Sequence, residues 1–167
     1  SVTLPHSDGD QLIVTGTGGT IEGLHVYRID EPPNNNTPPS GWTYMDASRY
    51  WGVHIVGSSA QYTFEYDYTN HPGVTNETDL GIGYRDNATG SWSDLNATLN
   101  TADNTLTKTG QTGTEYILLS NSDPIPVGLS NLHAELSGNR VEIKWTMDQE
   151  INIIGYAVYR QDRKSVV

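Results

Sequence analysis

Apolar and polar residues alternate in short runs along this chain, and no segment carries a helical stripe. The cleanest run is "QYTFEYDYT", where Tyr62, Phe64, Tyr66 and Tyr68 fall on one face and Thr63, Glu65 and Asp67 on the other. "QLIVTGTGG" predicts a strand closed by a glycine turn. "IEGLHVYRID" predicts a second strand, with Leu24, Val26 and Arg28 on one face and His25, Tyr27 and Ile29 on the other. "RYWGVHIVG" is a further strand ahead of the tyrosine-rich run, and "DLGIGYRD", "GSWSDL", "NTLTKTG" and "TEYILLS" supply four more. "EPPNNNTPPSG" reads as a long exposed loop, because its prolines lack N–H donors and its asparagines favour turns. Turn signals recurring every 8–12 residues or so predict an all-β chain built as a β-sandwich, jelly-roll or immunoglobulin-like, with no helix longer than two turns.

The pattern divides near "NSDPIPVG". Residues 1–123 form the predicted sandwich domain, 124–128 a proline-marked linker, and 129–167 the opening strands of a second sandwich. In that second part "VEIKWTMDQEINIIGYAVYR" alternates at Val141, Ile143 and Trp145, breaks at a polar turn, and resumes at Tyr156 and Val158. A sandwich of this kind needs about seven strands, so the sequence holds strands A to C of a domain. It reads as a fragment of a longer polypeptide.

The stretch "PIPVGLSNLHAELSGNRVEIKWTMDQEINIIGYAVYR" resembles the start of a fibronectin type III-like domain found in large secreted bacterial proteins, especially of the Bacteroidetes and related phyla. Val127, Leu129, Trp145, Glu150, Asn152, Gly155, Tyr156, Val158 and Arg160 stand at the family's pattern positions, and Gly128 replaces its usual Glu. The resemblance implies export, with the type IX secretion system as the associated route, and a core position for Trp145. The preceding region resembles, through packing residues, a β-sandwich common in the same proteins. There "RYW" places Trp51 in the core.

Composition narrows the functional classes. The formal net charge is −11, with 9 Lys and Arg against 20 Asp and Glu. Such a surface repels nucleic-acid phosphates and anionic membranes, so neither is an expected partner. No apolar run approaches the ~20 residues of a membrane span. Cysteine is absent, so no disulfide or cysteine zinc site supports the fold. Thr, Gly, Asn and Ser replace much of the usual charge, as in extracellular β-proteins.

Candidate chemistry is sparse. His6, His25, His54, His71 and His133 show no two-histidine metal spacing; His25 and His54 are expected at a sheet surface. Asp8 and Asp10 in "SDGD" suggest a calcium loop, but the acidic series stops short of six oxygen ligands, and an Asx turn is the plainer reading. No metal and no cofactor is expected. Glu65 and Asp67 share a strand face as a solvated pair. Ser58 and Ser59 lie in a turn without a nucleophile elbow. "GTGGT" lacks the Lys-Ser/Thr of a phosphate loop and reads as a turn. No enzyme activity is expected. Trp42, Tyr44 and Trp92 flank polar loops and are the candidates for stacking on sugar rings. Asn35, Asn76, Asn87 and Asn96 head N-x-T sequons, potential glycosylation acceptors on turns.

These readings converge on a non-catalytic structural or adhesive module of a secreted or cell-surface bacterial protein. Its expected partners are other protein chains or copies of itself, through exposed strands of 129–160. A carbohydrate-binding accessory module of a secreted enzyme, with polysaccharide as partner, is the alternative.

Overall fold

The structure, a computed structural model, describes residues 1–72, 74, 76–122, 129–137 and 140–147. It is all-β, with antiparallel pairing throughout and one 3₁₀ turn at Glu77–Asp79 among the described residues. The strands are β1 (Val2–Pro5), β2 (Gln11–Ile29), β3 (Tyr44–Met45), β4 (Tyr50–Asp67), β5 (Leu80–Arg85), β6 (Ser93–Asp94), β7 (Thr98–Asn100), β8 (Thr105–Gln111), β9 (Thr114–Ser120), β10 (Leu129–Ser137) and β11 (Arg140–Met147). The first nine form one hydrogen-bonded sheet, and β10 and β11 form a separate pair.

Two long strands organise the sandwich. β2 has 19 residues and β4 has 18, and they pair antiparallel from Gln11↔Asp67 to Ile29↔Tyr50. The sequence reading expected two strands and a glycine turn on each side. The structure instead runs each pair of strands together, because the glycine segment bends the ladder without ending it. The register shifts three times between Gly16 and Gly23, the mark of bulges that let a strand pass from one layer of a sandwich to the other. Backbones approach closely at this corner. Gly57 has φ +148°, and a Cβ there would overlap the Thr20 carbonyl oxygen.

Either side of the corner the same two strands serve different layers. The start of β2 and the end of β4 join β1, β8 and β7. The end of β2 and the start of β4 join β9, which also pairs with β3 and β5; β6 pairs with β5. The core lies between the layers and draws on both: Leu12, Val14, Phe64 and Leu106 from one, Trp51, Val53, Ile82 and Leu118 from the other. Phe64 meets Tyr116 at 4.2 Å between ring centroids, and Trp51 meets Tyr66 at 5.8 Å.

The period-two reading of "QYTFEYDYT" is sharp in the fold. Tyr62, Phe64, Tyr66 and Tyr68 are all buried, and Thr63, Glu65 and Asp67 are half-buried. The tyrosine hydroxyls stay inside the core. Tyr62 and Tyr116 share a 2.6 Å hydrogen bond, and Tyr66 donates to Asp10 at 2.5 Å.

The loop "EPPNNNTPPSG" is not simply exposed. Pro33 and Pro39 are buried, and Trp42 packs over Gly81 of β5. A second apolar cluster results on the outer face of the β9 layer, with Met45, Trp92, Ile117 and Leu119 at its centre and Trp42 and Tyr50 against it.

β10 and β11 pair from Leu129↔Met147 to Ser137↔Arg140, with a shift between Ser130 and His133. The alternation expected at 141–145 is present, and Trp145 is partly buried. The expected linker at 124–128 and the expected strand C lie outside the described residues.

Candidate functional site

Across the outer face of the β9 layer, register aligns Tyr27, Gly52, Glu115 and Arg85 in one row. Gly52 leaves room for the Tyr27 ring to lie flat on the backbone; a Cβ there would overlap the ring. The Tyr27 hydroxyl donates to Glu115 Oε1 at 3.2 Å, and Arg85 Nε donates to Glu115 Oε2 at 2.6 Å. Burial, and then the Glu115 carboxylate, push the Tyr27 phenol up to about 12. Arg85 is 2% exposed. Its guanidinium lies 4.4 Å from the Trp92 ring centroid and 5.5 Å from that of Tyr50, and Nη1 donates to Asn34 Oδ1. A guanidinium over indole is a favourable cation–π arrangement. The row is a buried ion pair roofed by the 31–35 loop.

Trp92 is therefore not displayed. Its ring is buried against Arg85 and Tyr50, and Nε1 donates to the Asn35 carbonyl at 2.7 Å. Tyr44 is buried in β3 and Trp42 is half-buried over Gly81. Trp42 and Trp92 belong to the apolar cluster on the outer face of β5 and β9, and Tyr44 is buried opposite Ser120, so the three form no exposed row for sugar stacking.

A second ionic network closes one end of the sandwich. The β1–β2 turn brings His6, Asp8 and Asp10 together, with candidate ligand atoms close enough for a metal. A cation already sits there. Arg49 Nη2 donates to Asp8 at 2.7 Å and Nη1 to Asp10 at 2.9 Å and to His6 Nδ1. The Asp8 N–H also donates to His6 Nδ1, so that lone pair is committed. The hydrogen bond from Arg49 holds the Asp8 carboxyl below its ordinary range. The guanidinium supplies the charge that a metal would supply, and the residues do not fit an ion as arranged.

Deeper in this network His71 Nε2 lies 3.1 Å from Asp46 Oδ2, while the Ser48 hydroxyl donates to Asp46 Oδ1 at 2.7 Å. Serine, histidine and aspartate are adjacent, yet both serine and histidine bind the carboxylate. Activation of a serine nucleophile needs the hydroxyl on the imidazole, so this arrangement serves to tie the 46–49 segment to the 71 turn. Burial raises Tyr66 well above the ordinary tyrosine value, and Asp10 and Asp46 add to the effect.

The remaining candidates separate by position. His25 and His54 pair across β2 and β4 on the exposed face. Ser58 and Ser59 sit at the corner, and "GTGGT" is part of β2. Asp67 accepts from the Gln11 side-chain amide and from the Thr69 N–H. Among the sequons, Asn76 and Asn87 accept from both the N–H and the hydroxyl of the Thr two residues on. Asn35 donates its amide to Gly90 O and Asn96 to Asp94 O.

Sequence reasoning passed over Arg49 and Arg85. The available signal was scarcity: Arg28, Arg49, Arg85 and Lys108 are the Arg and Lys residues before position 123, and Arg85 ends the otherwise apolar run "LGIGYR". A cation at such a place needs a buried partner. Also passed over was a cleft of about 360 Å³ beside the Tyr27–Glu115 pair, lined in part by His54, Asp86, Asn87 and Thr112.

No family model, curated protein or solved structure matches this chain.

Proposed function

We propose that this chain is a non-catalytic structural or adhesive module of a secreted or cell-surface protein, and that its 129–147 hairpin pairs with strands of another copy. One observation carries the reading. Leu136 and Val141 stand directly opposite each other on β10 and β11 and are 74% and 64% exposed. Ala134 and Ile143 form the next opposite pair on the same face. The other face is polar, with Glu135 opposite Glu142 and Lys144 3.4 Å from Glu142. The hairpin is thus two-sided, and its apolar side is exposed at Ala134, Leu136 and Val141 and half-buried at Ile143 and Trp145. Burying an aliphatic side chain contributes about 1.5–3 kcal/mol, and an open strand edge is a template for pairing. Among the described residues β10 and β11 pair only with each other.

The resemblance to fibronectin type III-like domains of secreted bacterial proteins supports the same reading, since β10 and β11 cover the stretches that the resemblance reads as strands A and B. The sandwich serves in this reading as a rigid carrier, held by its tyrosine-rich core and two buried ionic networks.

Light scattering over a range of concentrations tests the pairing. Wild type is expected to pass from monomer to dimer or larger species, and Leu136→Lys with Val141→Lys to stay monomeric with the sandwich intact. Wild type that remains monomeric at every concentration overturns self-pairing.

A further inference from the structure

A cleft of about 360 Å³ opens on the outer face of the sandwich, where the end of β5, the start of β9 and the start of β4 meet. The volume falls within the ~300–1,000 Å³ of small-molecule sites. We propose that it binds a pyranose sugar, neutral or amine-bearing. This goes beyond the strand pairing and uses none of the hairpin residues. It also moves the carbohydrate-binding alternative away from Trp42, Tyr44 and Trp92, which the fold packs inward.

The chemistry of the lining sets the ligand class. Tyr27 brings an aromatic ring, and such rings suit the apolar face of a sugar. His54, Asp86, Asn87 and Thr112 are exposed and together offer an imidazole, a carboxylate, an amide and a hydroxyl. A set that both donates and accepts matches vicinal hydroxyls, which do the same. Aliphatic lining is slight, so a purely apolar ligand gains little.

Charge decides between sugars. Neither Lys nor Arg lines the cleft, and Asp86 and Glu115 do. The cations nearest in sequence are committed: Arg85 to Glu115 and Asn34, and Arg28 to Asp30. Glu115 is neutralised by Arg85, so the charge facing the cleft is that of exposed Asp86. An anionic sugar is repelled by it, whereas an amino sugar gains from it. The site is also pre-formed. The Tyr27–Glu115–Arg85 row holds one side of it, and β4 and β9 pair at Val53↔Thr114 beside it. Little ordering is left for binding to supply, which favours measurable affinity from few contacts.

Nuclear magnetic resonance titration of the full chain tests this with methyl glycosides of glucose, galactose, mannose and xylose, with glucosamine, and with glucuronate. The expected result is saturable shifts confined to amides around 53–54, 86–88 and 112–115 for at least one neutral or amine-bearing sugar. Glucuronate should bind at least about tenfold more weakly. Asp86→Ala and His54→Ala, both exposed, should each weaken binding about tenfold while the thermal midpoint and the light-scattering mass stay as in wild type. No saturable shift with any sugar, shifts centred on Trp42 instead, or glucuronate bound as tightly as the others overturns the proposal. Because mass is read in the same samples, loss of sugar binding and loss of strand pairing are told apart.

Discussion

Replacing Arg85 by Met removes the cation from the buried row and leaves Glu115, 8% exposed, beside the Tyr27 hydroxyl alone. Breaking a buried pair on one side costs about 3–5 kcal/mol, because the remaining charge is uncompensated. The contact with Trp92 adds about 0.5–2 kcal/mol. For a chain of this size about 1 kcal/mol moves the melting temperature by roughly 2–4 °C, so the single change should lower it by roughly 7–28 °C. The double change Arg85→Met with Glu115→Met removes both charges and should recover most of the loss. What stays lost is the contact with Trp92 and the bond to Asn34. Part of that is offset because Arg85 Nη2 is buried without a hydrogen-bond partner in the native fold and an apolar replacement leaves no such atom. The assay is urea denaturation, reading the midpoint at unchanged slope. A single variant that loses less than about 1 kcal/mol would show that the pair behaves as an exposed one. A double variant as unstable as the single would show that burial of the Glu115 charge is not the cause.

The corner and the tyrosine core give further tests. Gly57→Ala puts a Cβ against the Thr20 carbonyl at φ +148° and should destabilise by about 1–3 kcal/mol, measured by the same denaturation; an unchanged midpoint would mean that the strands are free to separate there. In alkali, burial holds Tyr27, Tyr62 and Tyr68 at about 12 in the fold against an ordinary value of 10.0. Their contribution to stability is whole below the unfolded value near 10 and falls away as pH rises through the folded value. Absorbance of tyrosinate should lag behind that of the urea-unfolded chain above pH ~10, then rise together with loss of tertiary circular dichroism. Superimposable titrations of native and unfolded protein would refute the burial.

Much of the sandwich was legible because alternation is a local signal. Tyr62 to Tyr68 show it plainly: each odd step is polar and each even step enters the core. The joining of strands was not legible, because Gly16, Gly18 and Gly19 punctuate a sequence in the same way whether the chain reverses or merely bends. Only the ladder partner on the other strand distinguishes these cases, and it lies some forty residues away at Gln61 and Ser58. The inward packing of the aromatic candidates was hidden for a related reason. Trp92 and Tyr44 lie beside polar loops in sequence, but both faces of the β5–β9 layer are covered, one by the core and the other by the proline-rich loop. A strand between two covers reads as a nearly continuous apolar run, and "TEYILLS" is such a run. The cleft escaped notice because its lining comes from four separated segments, each polar and unremarkable alone.

Hydrogen exchange, followed by mass spectrometry across a dilution series, tests the central claim most directly. It reads strand pairing at the backbone, where strand addition acts. If the hairpin pairs between copies, peptides from 129–147 should gain protection as concentration rises, while those from β2, β4 and β9 exchange at the same slow rate throughout. Exchange in 129–147 that is independent of concentration, in the wild type and in the Leu136→Lys Val141→Lys variant alike, would contradict the account.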